Sequence, residues 1–356
     1  MPSVSERLVP RPADADVPGG PLPPGPLDPP TLPARQGDAP TLLERGATNS
    51  IGRMLGLVGD EWTLLILQRA LRGVTRYGHF LEQLPISNAV LTARLASMER
   101  EGVLTRVVYQ QRPVRAEYVL TARGRAMWPI LIAIWEWERR WVTRHAQTLP
   151  DMEHTACGRH FAPVLQCTTC RATVTIRDIE GRFGPSGSWQ RSVPEGATRR
   201  RPATEARTDA GLFPETMTIF GNRWSAAITG AAMRGVRRFG DFEEALGAPP
   251  AVVAERLRAF TDIGFLAPVA GERPDRFEYR LTDKGRAFYP PVALALEWAG
   301  HWYVAPEGPA LVQRHRACGA ALAVRLACDA CGELLHGSDI RVVPRDGSGP
   351  RRPSLT

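Results

Sequence analysis

The fold is decided by the stretch GDEWTLLILQRALRGVTRYGHF at residues 59–80, because the chain contains it a second time. The second copy is GNRWSAAITGAAMRGVRRFGDF at residues 221–242. The tryptophans of the two copies, Trp62 and Trp224, are 162 residues apart (224 − 62). Two copies are too few for a solenoid, so the sequence predicts two paired domains of one kind.

A second repeated stretch lies further along each copy. AEYVLTARGRAMWP at residues 116–129 returns as FEYRLTDKGRAFYP at residues 277–290, with an offset of 161 residues (277 − 116). The second copy has therefore lost one residue, between Gly264 and Pro274. The repeated unit extends across both stretches.

Three helices are predicted in the first part of each unit. In the first copy, apolar residues at helical spacing, closed by Gly or Pro, place the helices at about 62–73, 76–84 and 88–102. Ser87 is a good N-cap for the third helix. Its apolar stripe, with the i, i+4, i+7 spacing of a buried face, is formed by Leu91, Leu95 and Met98.

A hairpin and a long helix follow. LTRVVYQ and AEYVLT flank QRPVR, which predicts two strands with a basic tip that contains a proline. Thr121 then caps a long helix that is rich in tryptophan. The order of three helices and a hairpin is that of a winged helix-turn-helix, so we expect a mainly α fold with small β wings (α+β).

The long helix carries more aromatic surface than one domain can easily cover. We expect its tryptophans to form a dimer interface, within the chain or between chains; a ligand pocket between the domains is the alternative. The residues concerned are Trp128, Trp135, Trp137 and Trp141.

These motifs resemble the HxlR-type winged-helix transcriptional regulators of bacteria. The resemblance is carried by VGDEWTLLIL, RYGHF, SNAVLTARL, MEREGVLTR and RPVRAEYVLTARG, and it spans about 49–141 and 211–302. It implies a dimeric DNA-binding repressor or activator whose terminal helices form the dimer interface. Many members of the family have a redox-sensing cysteine at the start of the first helix, where this chain has Asn49 and Gly211.

The DNA-contacting residues are expected on the third helix and on the wing. A helix in the major groove reads bases with polar side chains, whereas the wing needs cations to reach phosphate. Two alternatives remain open: Ser87 can serve only as a cap, and Arg94 can pair with Glu99 or Glu101. The candidates in the first copy are Ser87, Asn88, Thr92, Arg94, Arg112 and Arg115.

The two copies are predicted to be unequal. Ser87, Asn88 and Thr92 become Pro249, Pro250 and Ala254, which have no side-chain donor. Residues 49–144 contain 14 arginines and 8 acidic residues (net +6), whereas 211–304 contain 11 basic and 11 acidic residues (net zero). We therefore expect the first copy to read bases. The candidates that remain in the second copy, chiefly for backbone contact, are Arg256, Arg273 and Arg276.

All six cysteines lie in two copies of the pattern His-x2-Cys-x9-Cys-x2-Cys. Two chelating pairs joined by a short loop can form a tetrahedral Zn²⁺ site, so we expect two structural zinc ions per chain, each in a zinc-ribbon-like appendage. The alternatives are a thiol switch and a small hairpin without metal. The expected ligands are His154, Cys157, Cys167 and Cys170 at the first site, and His315, Cys318, Cys328 and Cys331 at the second.

Segments rich in proline and glycine divide the chain. Proline makes up 12 of the first forty residues, which is typical of a disordered tail. We expect that tail at 1–45, a linker at 181–210 and a second disordered tail at 343–356. The predicted folded parts are winged-helix domains at 46–145 and 211–304, and Cys/His motifs at 150–180 and 311–342.

Composition narrows the function further. The net charge of +8 favours an acidic partner, double-stranded DNA here, and the sequence contains neither a secretory signal nor an apolar run long enough for a membrane span. We expect a cytoplasmic regulator that is not an enzyme, because the sequence shows no acid–base pair, nucleophile arrangement or phosphate-binding loop. A protein-interaction scaffold is the competing class. A homodimer, in addition to pairing within the chain, and an unidentified small-molecule effector are both compatible with the sequence.

Overall fold

The structure is a computed structural model that describes residues 38–143, 145, 148–193, 213–270 and 277–344. The first 37 residues, most of the predicted linker and the end of the chain lie outside the described residues. The tip of the second wing, with Arg273 and Arg276, and Gly211 also lie outside them.

Domain 1, as we call the first winged-helix unit, contains the three predicted helices and the hairpin in the predicted order, preceded by a strand and a helix that were not among them. Its elements are β1 (Thr41–Leu42), α1 (Ser50–Val58), α2 (Glu61–Leu71), α3 (Tyr77–Gln83), α4 (Asn88–Arg100), β2 (Leu104–Gln111), β3 (Val114–Leu120), α5 (Ala122–Arg125) and α6 (Trp128–Trp141). The predicted long helix is therefore divided into α5 and α6. Motif 1 and the connector after it form β4 (Asp151–His154), β5 (Arg159–His160), β6 (Pro163–Cys167), β7 (Ile179–Phe183) and α7 (Trp189–Ser192).

Domain 2 repeats the six helices and the hairpin of domain 1 in the same order. Its elements are α8 (Pro214–Phe220), α9 (Arg223–Met233), α10 (Phe239–Leu246), α11 (Pro250–Asp262), β8 (Leu266–Ala270), β9 (Phe277–Leu281), α12 (Asp283–Arg286), α13 (Tyr289–Trp302) and β10 (Tyr303–Val304). Motif 2 contains β11 (Leu311–His315), β12 (Val324–Cys328) and β13 (Ile340–Val343).

Helices α4 and α5 begin at side-chain caps. The Ser87 hydroxyl accepts a hydrogen bond from Val90 N at 3.4 Å, and the Thr121 hydroxyl accepts one from Gly124 N at 3.1 Å. The predicted stripe of α4, Leu91, Leu95 and Met98, is fully buried. The wings are antiparallel hairpins, β2 with β3 and β8 with β9.

The tryptophans of the long helices contact the opposite domain. Trp137 Nε1 donates to Lys284 O, and Trp298 Nε1 donates to Arg123 O, each at 3.0 Å. The ring of Trp137 also packs edge-on against Phe288, with centroids 4.8 Å apart. Helices α6 and α13 pack against each other, and α13 also packs against α1. The aromatic surface of α6 is thus covered from within the chain.

Two separate Cys/His appendages were expected from the sequence, but the two motifs form a single unit. Three strands of motif 1 and its connector pair antiparallel with strands of motif 2: β4 with β13, β6 with β12, and β7 with β11. The short strand β5 pairs with β4 within motif 1. In the central pair, Leu165 lies opposite Leu326. Backbone hydrogen bonds therefore join the two copies into one interlocked unit.

Two predicted boundaries are also wrong. Residues 38–45, predicted as disordered tail, include β1, which pairs in parallel with β10 at the end of domain 2. Asp38 Oδ1 accepts from Ala122 N at 2.9 Å, which holds this segment on domain 1 as well. Residues 181–193, predicted as linker, belong largely to β7 and α7. Both segments are ordered because partners distant in sequence satisfy their backbone groups.

No helix among the described residues is long and apolar enough to cross a membrane.

Candidate nucleic-acid interface and metal clusters

The exposed face of α4 carries the polar residues predicted to read DNA. Ser87, Asn88 and Thr92 are exposed, and two small residues, Ala89 and Ala93, lie on the same face. Small residues beside polar ones allow a helix to approach base edges closely. The geometry of α4 is therefore compatible with insertion into a major groove.

A tyrosine that the sequence analysis did not select organises this face. The Tyr77 hydroxyl lies 3.0 Å from Asn88 O, 3.1 Å from Asn88 Oδ1 and 3.1 Å from Thr92 Oγ1. Tyr77 begins α3, so these hydrogen bonds join the two helices of the helix-turn-helix. The sequence offered one clue to the role of Tyr77. The stretch RYGHF of domain 1 becomes RFGDF in domain 2, where Phe239 lacks the tyrosine hydroxyl.

Arg94 is not free to read a base, contrary to one of its two predicted roles. Its Nη2 lies 2.7 Å from Asp60 Oδ2, and its side chain is only 36% exposed. The other Asp60 oxygen caps α2 by accepting from Thr63 N at 2.9 Å. Pairing with a carboxylate was the predicted alternative, but the partner is Asp60 and not Glu99 or Glu101. The ion pair joins α4 to the start of α2.

The equivalent face of domain 2 lacks the uncharged polar group of domain 1, and its polar residue at the position of Ala93 is the exposed carboxylate of Glu255. Pro249 and Pro250 begin α11, and Ala254 occupies the position of Thr92. Arg256 is only 9% exposed and pairs with Glu255, so it cannot make the predicted DNA contact in this geometry. Arg256 cannot form the ion pair that Arg94 forms with Asp60, because the uncharged Asn222 stands at the position of Asp60. The side-chain oxygen of Asn222 caps α9.

The wing of domain 1 presents its cations to solvent. Arg112 and Arg115 are both exposed, on either side of the hairpin tip. Behind the tip, the Arg76 guanidinium lies over the Tyr109 ring at 5.5 Å and pairs with Glu117 at 3.1 Å. The tip arginines are thus placed on a braced hairpin, as a phosphate contact requires.

We expect Arg115→Ala to weaken binding to every DNA sequence alike. A protein that contacts one phosphate fewer releases fewer counterions from the DNA when it binds. The slope of log K against log salt concentration should therefore become smaller in magnitude by roughly one unit. Gel shifts across a salt series measure this slope. The control is Arg182→Ala, an exposed arginine on β7 away from the wing. A slope equal to that of the unaltered protein would exclude the wing contact.

The eight predicted metal ligands regroup into two clusters among the described residues, and each cluster draws on both motifs. One contains His154, Cys157, Cys328 and Cys331; the other contains Cys167, Cys170, His315 and Cys318. The predicted residues are thus brought together, but the predicted grouping within each motif is wrong. Pairing of β6 with β12 and of β4 with β13 carries each His-x2-Cys turn to the Cys-x2-Cys turn of the other copy.

The cluster geometry matches a tetrahedral zinc site. Zn–S bonds of about 2.3 Å separate the sulfurs by about 3.8 Å at the corners of a tetrahedron. Here the sulfurs of Cys167 and Cys318 are 3.9 Å apart. His315 Nδ1 lies 3.3 Å from Cys170 Sγ and 3.4 Å from Cys318 Sγ, and His154 Nδ1 lies 3.4 Å from Cys331 Sγ. Nitrogen and sulfur donors are the ligands zinc prefers.

A buried carboxylate lies at the contact between the domains. Glu138 of α6 is fully buried, and its Oε1 accepts from Thr216 N of α8 at 2.7 Å. Burial raises the pKa of Glu138 to about 7, and the nearby Glu215 carboxylate also raises it, against the opposing effects of the Thr216 hydrogen bonds and of Lys284. Its Oε2 lies 3.7 Å from His145 Nε2. Proton binding and domain contact are therefore linked at this residue.

The raised pKa of Glu138 predicts a pH dependence of stability. The folded protein holds this proton more tightly than the unfolded chain, so stability should fall as the pH rises from about 4.5 to about 7. Glu138→Gln keeps an acceptor for Thr216 N and removes the charge. We expect the variant to be more stable than the unaltered protein near pH 8, by about 3 kcal/mol at most, and equal to it near pH 4.5.

Urea unfolding at the two pH values measures this difference. Glu82→Gln, which removes an exposed carboxylate of α3, is the control and should leave the difference between the two pH values unchanged. Equal effects of Glu138→Gln at both pH values would contradict the assignment.

Asn49, at the position where the resemblance implies a sensing cysteine, has a structural role. It is fully buried, and its Oδ1 caps α1 by accepting from Ile51 N and Gly52 N, each at 3.1 Å. Its Nδ2 donates to Ser186 O at 3.1 Å and to Ser192 Oγ at 2.9 Å. The side chain therefore ties α1 to the connector.

Comparison with known proteins places both winged-helix domains in one family. The family model described as HxlR-like helix-turn-helix matches residues 57–146 and 219–307, about half of the chain. An uncharacterized HTH-type transcriptional regulator of Mycobacterium bovis, Mb3122, is 36% identical over 144 residues, which are 40% of this chain and 91% of the relative. The regulator sll1512 of Synechocystis is 36% identical over 31% of this chain and 83% of its own length.

Similarity extends to a solved structure. PA1374 from Pseudomonas aeruginosa is 32% identical, with 40% of this chain and 97% of that chain covered and a TM-score of 0.32.

Proposed function

Because the chain belongs to the family of HxlR-like helix-turn-helix proteins, which are transcriptional regulators, we propose that it represses transcription by binding a specific double-stranded DNA site. In this proposal one chain supplies both winged helices of the pair. The observation that carries it is the exposed polar face of α4, organised by Tyr77, beside a wing with free-standing arginines.

The proposed pairing within one chain is supported by the contacts between the domains. Trp137 and Trp298 each donate a hydrogen bond to the opposite domain, and α6 packs against α13. Mb3122 is matched over 91% of its length by 40% of this chain, so one copy corresponds to nearly a whole relative. A pseudo-dimer inside the chain would then do what the resemblance implies for two chains.

The proposed division of labour gives base reading to domain 1. Asn88 can bond an adenine edge through two atoms, and Thr92 can contact a base or a thymine methyl group. Domain 2 has Pro250 and Ala254 at these positions. Its wing arginines, Arg273 and Arg276, would contact the phosphate backbone of the DNA. Domain 2 would therefore add affinity with little sequence discrimination.

Gel shifts with the chain's own promoter region and with unrelated DNA test this function, at several salt concentrations. A regulator should bind the promoter more tightly, by 10³-fold or more, in the range typical of specific DNA-binding proteins. Equal, weak binding to both DNAs, or none, would favour the interaction scaffold.

We further propose that the two Cys/His clusters hold structural zinc, with two ions per chain. Both clusters have four soft or borderline donors at tetrahedral separations, which leaves no open coordination position for catalysis. Each ion would bind motif 1 to motif 2 and so hold the two copies together. The sulfurs would bind as thiolates.

A thiol- or metal-responsive switch is a second candidate, favoured by exposure of part of the clusters. Cys170, Cys318 and Cys331 are exposed, whereas Cys167 and Cys328 are buried. Oxidation of an exposed thiolate would release metal and loosen the interlocked motifs. Promoter binding that falls on treatment with peroxide and returns on reduction with zinc would support this role; promoter binding unchanged after measured zinc loss would exclude it.

A further inference from the structure

A cavity of about 540 Å³ lies where domain 1, domain 2 and the connector meet. Its walls come from α1, α7, α9, α13 and the paired strands β7 and β11. The lining is mainly apolar and aromatic, with Ile51, Phe183, Trp189, Ala227, Gly230 and Tyr289 among its residues. Its volume is within the range of small-molecule sites, and such sites are typically apolar with a few polar groups.

The cavity exists because α9 has smaller side chains than its counterpart α2. Leu64, Leu65, Leu67 and Gln68 of α2 correspond to Ala226, Ala227, Thr229 and Gly230 of α9 at the offset of 162. All four of these α9 residues line the cavity. At Gly230 an added Cβ would lie 3.3 Å from the Trp189 ring. The Trp189 ring takes up part of the space that Gly230 leaves, and the other small side chains leave room beside this ring for a small ligand.

Two polar groups inside the cavity are available to a ligand. The Thr229 hydroxyl has no hydrogen-bond partner among the described residues, although Thr229 is only 1% exposed. The Tyr289 hydroxyl accepts from Gln313 Nε2 at 3.4 Å and can still donate its own proton. An unsatisfied buried hydroxyl costs free energy that a bound acceptor would recover.

The charge at the cavity favours an anion. Arg234 lies over the ring of Phe183 at 4.4 Å, and no carboxylate of the described residues pairs with it. The other charged lining residues, Arg316 and Glu180, neutralise each other in an ion pair. Among the described lining residues, the exposed Arg234 is therefore the one charged side chain that has no oppositely charged partner.

We propose that this cavity binds a small aromatic carboxylic acid, and that this molecule is the effector of the regulator. The aromatic body would pack against Trp189 and Tyr289, with the carboxylate at Arg234. Because the lining includes α1 of domain 1 and α9 of domain 2, occupancy would alter how the two domains are held and hence the affinity for DNA. The effector role rests on the proposed function, whereas the binding site itself does not.

Calorimetry without DNA tests the site. The probes are naphthoate and phenylbutyrate, with naphthalenemethanol and naphthylmethylamine as the neutral and cationic counterparts of the first. We expect saturable binding of at least one carboxylate, with the neutral counterpart weaker by about tenfold or more and the amine weaker still. Failure of both carboxylates to bind, or equal binding of the neutral counterpart, would overturn the proposal.

Substitutions of lining residues test whether the ligand binds in this cavity. Ala227→Leu and Gly230→Gln restore the residues that domain 1 has at the same positions, and each should abolish binding. Arg234→Gln should weaken carboxylate binding by about tenfold without changing naphthalenemethanol binding, whereas Arg237→Gln, an exposed neighbour outside the lining, should change neither. Binding unchanged in both filled variants would overturn the site. Promoter gel shifts without ligand report the proposed function separately.

Discussion

The double variant Cys157→Ser with Cys167→Ser is expected to bind no zinc, although motif 2 is intact in it. Cys157 belongs to the cluster with Cys328 and Cys331, and Cys167 belongs to the cluster with His315 and Cys318. Two substitutions within one motif therefore damage both sites. Structural zinc contributes on the order of 10 kcal/mol to a small module, so we also expect the interlocked motifs to unfold in this variant.

The matched control is the double variant Cys167→Ser with Cys318→Ser. These two cysteines lie in different motifs but in the same cluster, so about one zinc ion per chain should remain. Metal analysis of the purified proteins by mass spectrometry gives both numbers. Sites contained within single motifs would produce the opposite result, with one ion in the first variant and none in the second. A lack of zinc in the unaltered protein would exclude structural zinc itself.

The second large effect is expected at the α4 face. Asn88→Ala should lower the preference for the specific site over unrelated DNA by about 5- to 150-fold, because one base contact of two hydrogen bonds is lost. Binding to unrelated DNA should change little, since the variant keeps Arg112 and Arg115, the residues proposed to contact phosphate. The ratio of the two dissociation constants, measured at one salt concentration, reports this change.

Two further variants locate the effect. Tyr77→Phe introduces the residue that domain 2 has at this position and should reduce the preference by a smaller factor, because Asn88 and Thr92 lose only their orienting partner. Pro250→Ala, at the domain 2 position that matches Asn88, should leave the preference unchanged. Equal losses from Asn88→Ala and Pro250→Ala would contradict unequal reading.

The helix-turn-helix and the hairpin of each domain could be predicted from the sequence because their signals are local, whereas residue spacing predicted neither β1 nor α1. Leu91, Leu95 and Met98 follow a serine cap, and all three are buried on one face of α4 as expected. The division of the predicted long helix into α5 and α6 was missed, although Pro129 stands in the first turn of α6, where proline marks a helix start. The Tyr77 cluster required knowing how α3 is placed against α4, although Phe239 in the second copy offered a clue.

The grouping of the metal ligands could not be predicted, and the reason is physical. Both motifs have the same ligand types at the same spacing, so grouping within a motif and exchange between motifs give equivalent tetrahedra. The choice depends on strand pairing between residues about 160 positions apart, such as Leu165 with Leu326. The partner of Arg94 was missed for a similar reason, since Asp60 is brought to it only by packing of α2 against α4.

The same limit applied to the ends of the predicted disordered segments. Composition marks Pro-rich sequence as unable to build its own core, but it does not reveal a strand that pairs with a distant partner. Thr41 and Leu42 pair with Tyr303 and Val304. Ordering of such a segment depends on the other domain, which local sequence cannot show.

In the proposed complex, one chain supplies two winged helices, and only the first of them reads bases. Selection of bound sites from a randomised DNA library, followed by substitution of every position in the selected site, distinguishes the contributions of the two domains. We expect one half-site with strong base preferences, weakened by Asn88→Ala, and one half-site that tolerates every base. Two half-sites with equal base preferences would contradict this proposal.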